Sequence, residues 1–230
     1  RILVVNETGG LLLWEAFRKV PEGGVFALIQ KEENLSIHNH YAQILPEADK
    51  PILIQGSINT FTPNSLKTIP DDIAFDAIIG KDTLVRFKDK QMVCTKYYSL
   101  LDRNAMLSLC ETIPSKATRL SEFITTHNIK PEILKKVKKA EDNLYQSASN
   151  TLVNWTEEDI VQYLIVAGFQ NLTRKTKKYT EERYIRETDL KKWFNTADKE
   201  KECYGTALMN IFTIEEFNHI KSVFFNEFAE

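Results

Sequence analysis

Residues 1 to 16 read Arg1-Ile2-Leu3-Val4-Val5-Asn6-Glu7-Thr8-Gly9-Gly10-Leu11-Leu12-Leu13-Trp14-Glu15-Ala16. An apolar run (2 to 5) meets a polar, glycine-containing turn (6 to 10) and then an amphipathic stretch that fits a helix over 11 to 19. Strand, glycine turn and helix in this order form the opening of a βαβ unit. In such a turn, glycines let the backbone approach a ligand closely and the helix N-terminus offers free N–H groups.

Further apolar runs follow at 25 to 29, 52 to 55, 75 to 79 and 105 to 111, alternating with helical patterns at 33 to 45 and 89 to 101. Alternation of this kind predicts a Rossmann-like α/β fold with a mostly parallel sheet flanked by helices. Pro21-Glu22-Gly23-Gly24 and Asp102-Arg103-Asn104 are turn-rich connections. After Pro114 the character becomes helical. Residues 131 to 146 begin with Pro131 in a first-turn position and place Ile133, Val137, Ala140 and Leu144 on one stripe. A helix over 156 to 167 starts at Thr156, with Asp159 three residues on, and stops at Gly168. Residues 170 to 185 read as a sixth strand, and 187 to 195, 204 to 211 and 213 to 228 as closing helices. The expected organisation is a core of strands 1 to 5 over residues 1–114, and over 115–230 a helical segment, the sixth strand and a helical C-terminus of the same domain.

The 230 residues carry a formal charge of -2 and are 43% hydrophobic, enough for a full core and poorly suited to a protein whose main work is gripping nucleic acid. Lys and Arg stand 12 against 14 Asp and Glu over residues 1 to 113, 13 against 9 over 114 to 186, and 5 against 9 beyond. No apolar stretch approaches the roughly 20 residues of a membrane span, so a soluble, cytoplasmic protein is expected. Cys94, Cys110 and Cys203 form no C-x-x-C pair and no disulfide framework, and Cys110 reads as a buried residue of an apolar run. Arg1 stands where a strand begins with nothing before it, which suggests a piece of a longer polypeptide.

Three passages together carry a resemblance: Leu3 to Ala16, Phe75 to Asp89 and Leu100 to Glu111. They resemble the D-x-G-x-G-x-G turn, the fourth strand with its loop, and the approach to the fifth strand of class I S-adenosylmethionine-dependent methyltransferases. The stretch from Trp155 to Phe169 is similar to that family's helix ending in Ala-Gly-Phe. The resemblance implies a cofactor-binding set of Asn6, Thr8, Gly9, Gly10, Gln30, Glu32, Gly56 and Ser57. Several of these depart from the pattern. Asn6 replaces the acidic residue, Thr8 and Leu12 replace glycines and add side chains where the ligand would approach, and Gln30 stands where a carboxylate accepts both ribose hydroxyls. Gly56-Ser57 stands where the family often has an acidic residue near the adenine. Fold without cofactor is the expectation, with S-adenosylmethionine as the group the site would take if it takes one, and no catalytic residue is nominated. A dinucleotide dehydrogenase lacks its G-x-G-x-x-G here, and a P-loop ATPase lacks its G-x-x-x-x-G-K-[ST].

Asn154-Trp155, Tyr179-Thr180-Glu181-Glu182-Arg183 and Tyr204-Gly205, with the altered turn, resemble the C-terminal region fused in cyanobacteria to AAA+ ATPases of the replication-associated recombination (RarA/MgsA) type. That resemblance implies an accessory module of a DNA-maintenance ATPase, with N-terminal AAA+ domains of the same chain as partners, DNA or replication proteins reached through them, and ATP bound by the parent. The alternative is an active methyltransferase on a nucleic acid or small molecule.

His38-Asn39-His40 reads as a pair of solvent-exposed histidines rather than a metal site, because i and i+2 point to different helix faces. Arg174, Lys175, Lys177 and Lys178, beside Tyr179, and the lysines at 135, 136, 138 and 139 are the candidate nucleic-acid contacts, with solvated faces as the plainer account. Trp14, Trp155 and Trp193 read as packing anchors.

Overall fold

The computed structural model describes residues 1–20, 23–63, 73–124, 129–182, 184–197 and 203–228. Pro21, Glu22 and Arg183 lie outside the described residues. The chain divides into two compact units, Arg1–Thr112 with Glu157–Leu172, and Ile113–Thr156 with Thr173–Glu230. The second segment of the first unit, Glu157–Leu172, comes from the C-terminal half of the chain.

In the first unit, β1 (Ile2–Val5), β2 (Val25–Ile29), β3 (Ile52–Gln55), β4 (Phe75–Lys81) and β5 (Leu101–Cys110) form a sheet in the order β3-β2-β1-β4-β5, and every pairing is parallel. The fold is Rossmann-like, as expected. Helices α1 (Leu11–Lys19), α2 (Glu32–Ala42) and α3 (Lys90–Leu100) connect the strands, and α5 (Glu157–Ala167) packs on α3. All five residues of β2, Val-Phe-Ala-Leu-Ile, are buried, the unbroken apolar run of a parallel strand covered on both faces.

Alternation along the strands sorts the two faces. Leu3 and Val5 join Phe26, Leu28, Phe75, Ile78, Val93 and Tyr97 in one cluster, with Ile160, Tyr163 and Leu164 of α5 packed against it. Val4 joins Val25, Ala27, Ile29, Leu13 and Ala16 on the other face. At the α3–α5 contact, Gln91 Nε2 donates to the Tyr163 carbonyl at 3.1 Å and the Tyr98 and Phe169 rings meet edge to face, 5.2 Å apart.

The second unit is built from α4 (Pro131–Gln146), α6 (Glu187–Trp193), α7 (Tyr204–Met209) and α8 (Ile214–Phe228) around Leu134, Val137, Leu190, Phe194, Leu208, Ile220 and Phe224. Trp155 is fully buried, and its indole N–H donates to the Leu152 carbonyl at 2.9 Å.

Two expectations fail. Among the described residues no strand follows Cys110, and residues 173–182 are exposed without regular structure. The threonines and Tyr179 give this segment a strand-like composition, but a strand exists only when paired in a sheet, and among the described residues no strand pairs with it. Cys110 is exposed. It ends β5, where Leu107 and Leu109 turn inward and Ser108 and Cys110 outward, a period of two that the apolar run concealed.

Candidate functional site

The eight cofactor positions named from the sequence fall on one rim. Asn6, Thr8, Gly9 and Gly10 follow β1, Gln30 and Glu32 follow β2, and Gly56 and Ser57 follow β3, three neighbouring strands. Backbone bonds hold the rim together, from Glu7 N to Leu28 O at 3.1 Å and from Gly56 N to Ile29 O at 2.9 Å. The strand order reverses between β1 and β4, and ligands of open α/β sheets sit at such a point, beyond the carboxyl ends of the strands.

Glu7, which the sequence reading passed over, dominates this turn. Its side chain is buried, and its carboxylate accepts the N–H groups of Thr8 and Gly10 at 2.7 Å each and of Leu13 at 2.9 Å. Leu13 is the third residue of α1, so one carboxylate satisfies the turn and the first helical turn together, and a negative charge there suits the helix dipole. Those are the donors a bound anion would use. Thr8 is exposed in this turn, and Leu12 is partly buried and packs against the cluster around Val4 and Leu13. Gly10 adopts φ +88°, and a Cβ on it would lie 2.9 Å from Trp14 Cδ1 and 3.0 Å from His38 Cε1.

Asn6, in the left-handed region at φ 56°, ties the end of β1 to the end of β4. Its Nδ2 donates to the carbonyls of Lys81 at 2.9 Å and Asp82 at 3.0 Å. Gly80, opposite Val5 in the register, has no room for a side chain, since a Cβ would meet Thr83 Cγ2 at 2.4 Å and Val5 Cγ2 at 2.5 Å. Gln30 accepts from Arg86 Nη1 at 2.9 Å, a bond from the end of β2 to the loop after β4 that passes over β1 in sheet order. Glu32 opens α2 and is exposed, and Ser57 N donates to Thr60 Oγ1 at 3.1 Å within its own turn.

The site residues thus share a rim but present few free groups to a nucleoside. At the end of β2 an amide bonded to a guanidinium stands in place of a two-oxygen acceptor, and three turn amides are bonded to Glu7. No reaction step through S-adenosylmethionine follows from this donor set.

His38 corrects the reading of the His38-Asn39-His40 pair. It is buried against Gly10 and Trp14, while His40 is exposed beside Tyr41. Two residues apart on a helix are about 200° apart around it, so one imidazole faces inward and the other outward. Both ring nitrogens of His38, and Oδ1 of Asn6, are buried without a partner among the described residues.

A second polar group lies behind β4 and β5. The Glu111 carboxylate accepts Thr83 N at 2.8 Å, Thr83 Oγ1 at 2.6 Å and Leu84 N at 3.1 Å, pinning the loop after β4. Burial raises its pKa against those bonds. On α3, burial lowers the Lys90 ammonium to about 8, opposed by Glu111, and pushes the Cys94 thiol up to about 12. Lys90 Nζ donates to the Phe87 carbonyl at 2.9 Å. With its thiol held protonated, Cys94 is no nucleophile at neutral pH.

In the second unit, Glu141 is buried and accepts Ser121 N at 3.0 Å, the Ser121 hydroxyl and the Tyr204 hydroxyl at 2.9 Å. Of the residues that carried the narrower resemblance, Asn154, Trp155, Tyr204 and Gly205 serve this unit's packing, while Tyr179 to Glu182 are exposed. Asn154 Nδ2 donates to the carbonyls of Gln146 and Ser147 at 3.1 Å each, at the end of α4, and a Cβ on Gly205 would lie 2.9 Å from the Phe194 carbonyl carbon. Arg174, Lys175, Lys177 and Lys178 are exposed on the segment without regular structure, apart from the rim residues in sequence and unit. Among the described residues no three His, Cys, Asp or Glu side chains converge as metal ligands, and no helix is long and apolar enough to cross a membrane.

No family model matches the chain, and no curated protein matches it. Among the solved structures similar to this chain are two of one enzyme. One is the plantazolicin methyltransferase BpumL in complex with a pentazolic desmethylPZN analog and SAH, 13% identical, with a TM-score of 0.45. The other is BpumL with the triazolic analog and SAH, 14% identical, with a TM-score of 0.46. Each comparison covers 72% of this chain and 54% of the other, so the chain spans about half their length. The fold assignment rests on sheet order and register rather than on these likenesses.

Proposed function

We propose that this chain is a methyltransferase-shaped accessory module that does not bind S-adenosylmethionine and works as a docking or regulatory part of a AAA+ ATPase in DNA maintenance. The observation that carries the first half is the Glu7 carboxylate, bonded to the three amides a ligand would need. The second half rests on the resemblance around Asn154-Trp155 and Tyr204-Gly205. In that reading ATP hydrolysis belongs to domains outside these 230 residues.

Calorimetry with S-adenosylmethionine and S-adenosylhomocysteine tests the first half. No heat of binding is expected up to millimolar ligand, and micromolar binding of either compound overturns the reading. For the second half, adding this chain to the matching AAA+ fragment should change its ATPase rate, and an unchanged rate with no co-elution refutes it.

A second reading, an active methyltransferase on a nucleic acid or small molecule, is favoured by the unpartnered buried atoms of His38 and Asn6, which a ligand could satisfy. A cofactor-soaked crystal with density against Gly9 and Gly10 would support it, and an unchanged Glu7 contact with no such density would end it.

A further inference from the structure

We infer that the outer face of α4 is a sequence-independent contact for the phosphate backbone of duplex DNA, made by Lys135, Lys138 and Lys139. This goes beyond the reading above and does not depend on it.

The sequence of α4 separates two faces. Leu134, Val137, Ala140 and Glu141 are buried, and Lys135, Lys136, Lys138 and Lys139 are exposed. At 100° per residue, positions 135, 138 and 139 fall within an arc of about 100° opposite the buried stripe. Lys136 lies to one side and is engaged, bonded to Glu216 Oε1 at 3.3 Å.

Some other cations of this unit are also engaged, while Lys192 of α6 is exposed without an ion pair among the described residues. Lys191 bonds Glu187 at 2.8 Å, Arg186 bonds Asp189 at 3.1 Å, and Lys221 stands over the Phe225 ring. Lys135, Lys138 and Lys139 have no ion pair among the described residues, although at 100° per residue Asp142 falls within their arc and Glu132 about 20° beyond it. Three uncommitted ammonium groups remain on one rigid face, with Lys135 and Lys139 about 6 Å apart along the axis.

The chemistry of these groups selects the ligand. An ammonium is a hydrated point charge on a flexible stem, which suits phosphate oxygens and carries no base information. The helix fixes the spacing of the three charges, whereas Lys175, Lys177 and Lys178 sit on a segment without regular structure and present no fixed array.

The test is fluorescence anisotropy of the whole chain with a 20-base-pair labelled duplex at 50 and 200 mM NaCl. Three phosphate contacts predict a roughly 40-fold loss of affinity between those salts, from a slope of about -0.9 per phosphate. The triple variant K135Q/K138Q/K139Q should lose most of the binding at 50 mM and flatten the log-log salt slope by about 3, with an unchanged circular-dichroism melt. K175Q/K177Q/K178Q should bind as the parent does. The inference is overturned by no binding at 50 mM, by a salt slope that the α4 variant leaves unchanged, or by loss of binding in the 175–178 variant alone.

Discussion

The Glu7 carboxylate lies 2.7 Å from the amide nitrogen of Gly10, three residues on, and completes its coordination with Thr8 and Leu13. The side chain does from within the turn what a capping residue does from in front of a helix. Glu7→Ala should destabilise the first unit by about 2 to 4 kcal/mol, because it strands buried donors once held by a charged acceptor. Glu7→Gln, which keeps an acceptor oxygen, should cost about half as much. Urea denaturation of the three proteins decides this, and equal stability for Glu7→Ala and the parent would remove Glu7 from the account.

Gly10 and Gly9 are adjacent but should respond in opposite ways. Gly10→Ala puts a Cβ against Trp14 and His38 at a left-handed φ, so a loss above about 2 kcal/mol is expected. Gly9→Ala meets nothing within 4 Å and should stay within about 0.5 kcal/mol. Thermal melts of both variants give the contrast.

Lys90 should leave a signature on the alkaline side. Its ammonium is lowered to about 8 in the folded protein, so between about pH 8 and the ordinary lysine range the unfolded chain holds more protons, and this residue's contribution to stability rises with pH. Lys90→Met removes that contribution. The difference in unfolding free energy, parent minus variant, should therefore climb from pH 7.5 to 10, and a flat difference would show that Lys90 is not desolvated.

Glu141 gives the opposite slope in the acid range. Burial raises its folded pKa despite the bonds from Ser121 and Tyr204, so its contribution is greatest below the unfolded carboxyl pKa and is lost as pH rises through the folded value. Glu141→Gln keeps one oxygen to accept from Tyr204 and the Ser121 amide, turns the contact with the Ser121 hydroxyl into a donation, and should flatten the pH profile. Tyr204→Phe removes one donor and should cost about 1 kcal/mol. Guanidinium titrations from pH 4 to 8 check both.

The central strands were legible because parallel central strands must be apolar on both faces, and Val25 to Ile29 or Ile2 to Val5 can be little else. The stripe of α4 and the stop at Gly168 were legible for similar local reasons. Glu7 was not. An acidic residue in a turn reads as solvated, and only the folded turn brings the amides of Thr8, Gly10 and Leu13 around it. His38 was misread because spacing separates two faces of a helix without saying which is buried. The strand expected over 170 to 185 failed for want of a neighbour, which composition does not report.

The return of residues 157 to 172 to the first unit has a consequence for biosynthesis. When β5 leaves the ribosome, the α3 surface that will receive Ile160, Tyr163 and Leu164 is still bare, and it stays so until more than forty further residues have been made. At about 5 to 20 residues per second that is a wait of several seconds, during which the nascent sheet is sticky and a natural client for chaperones.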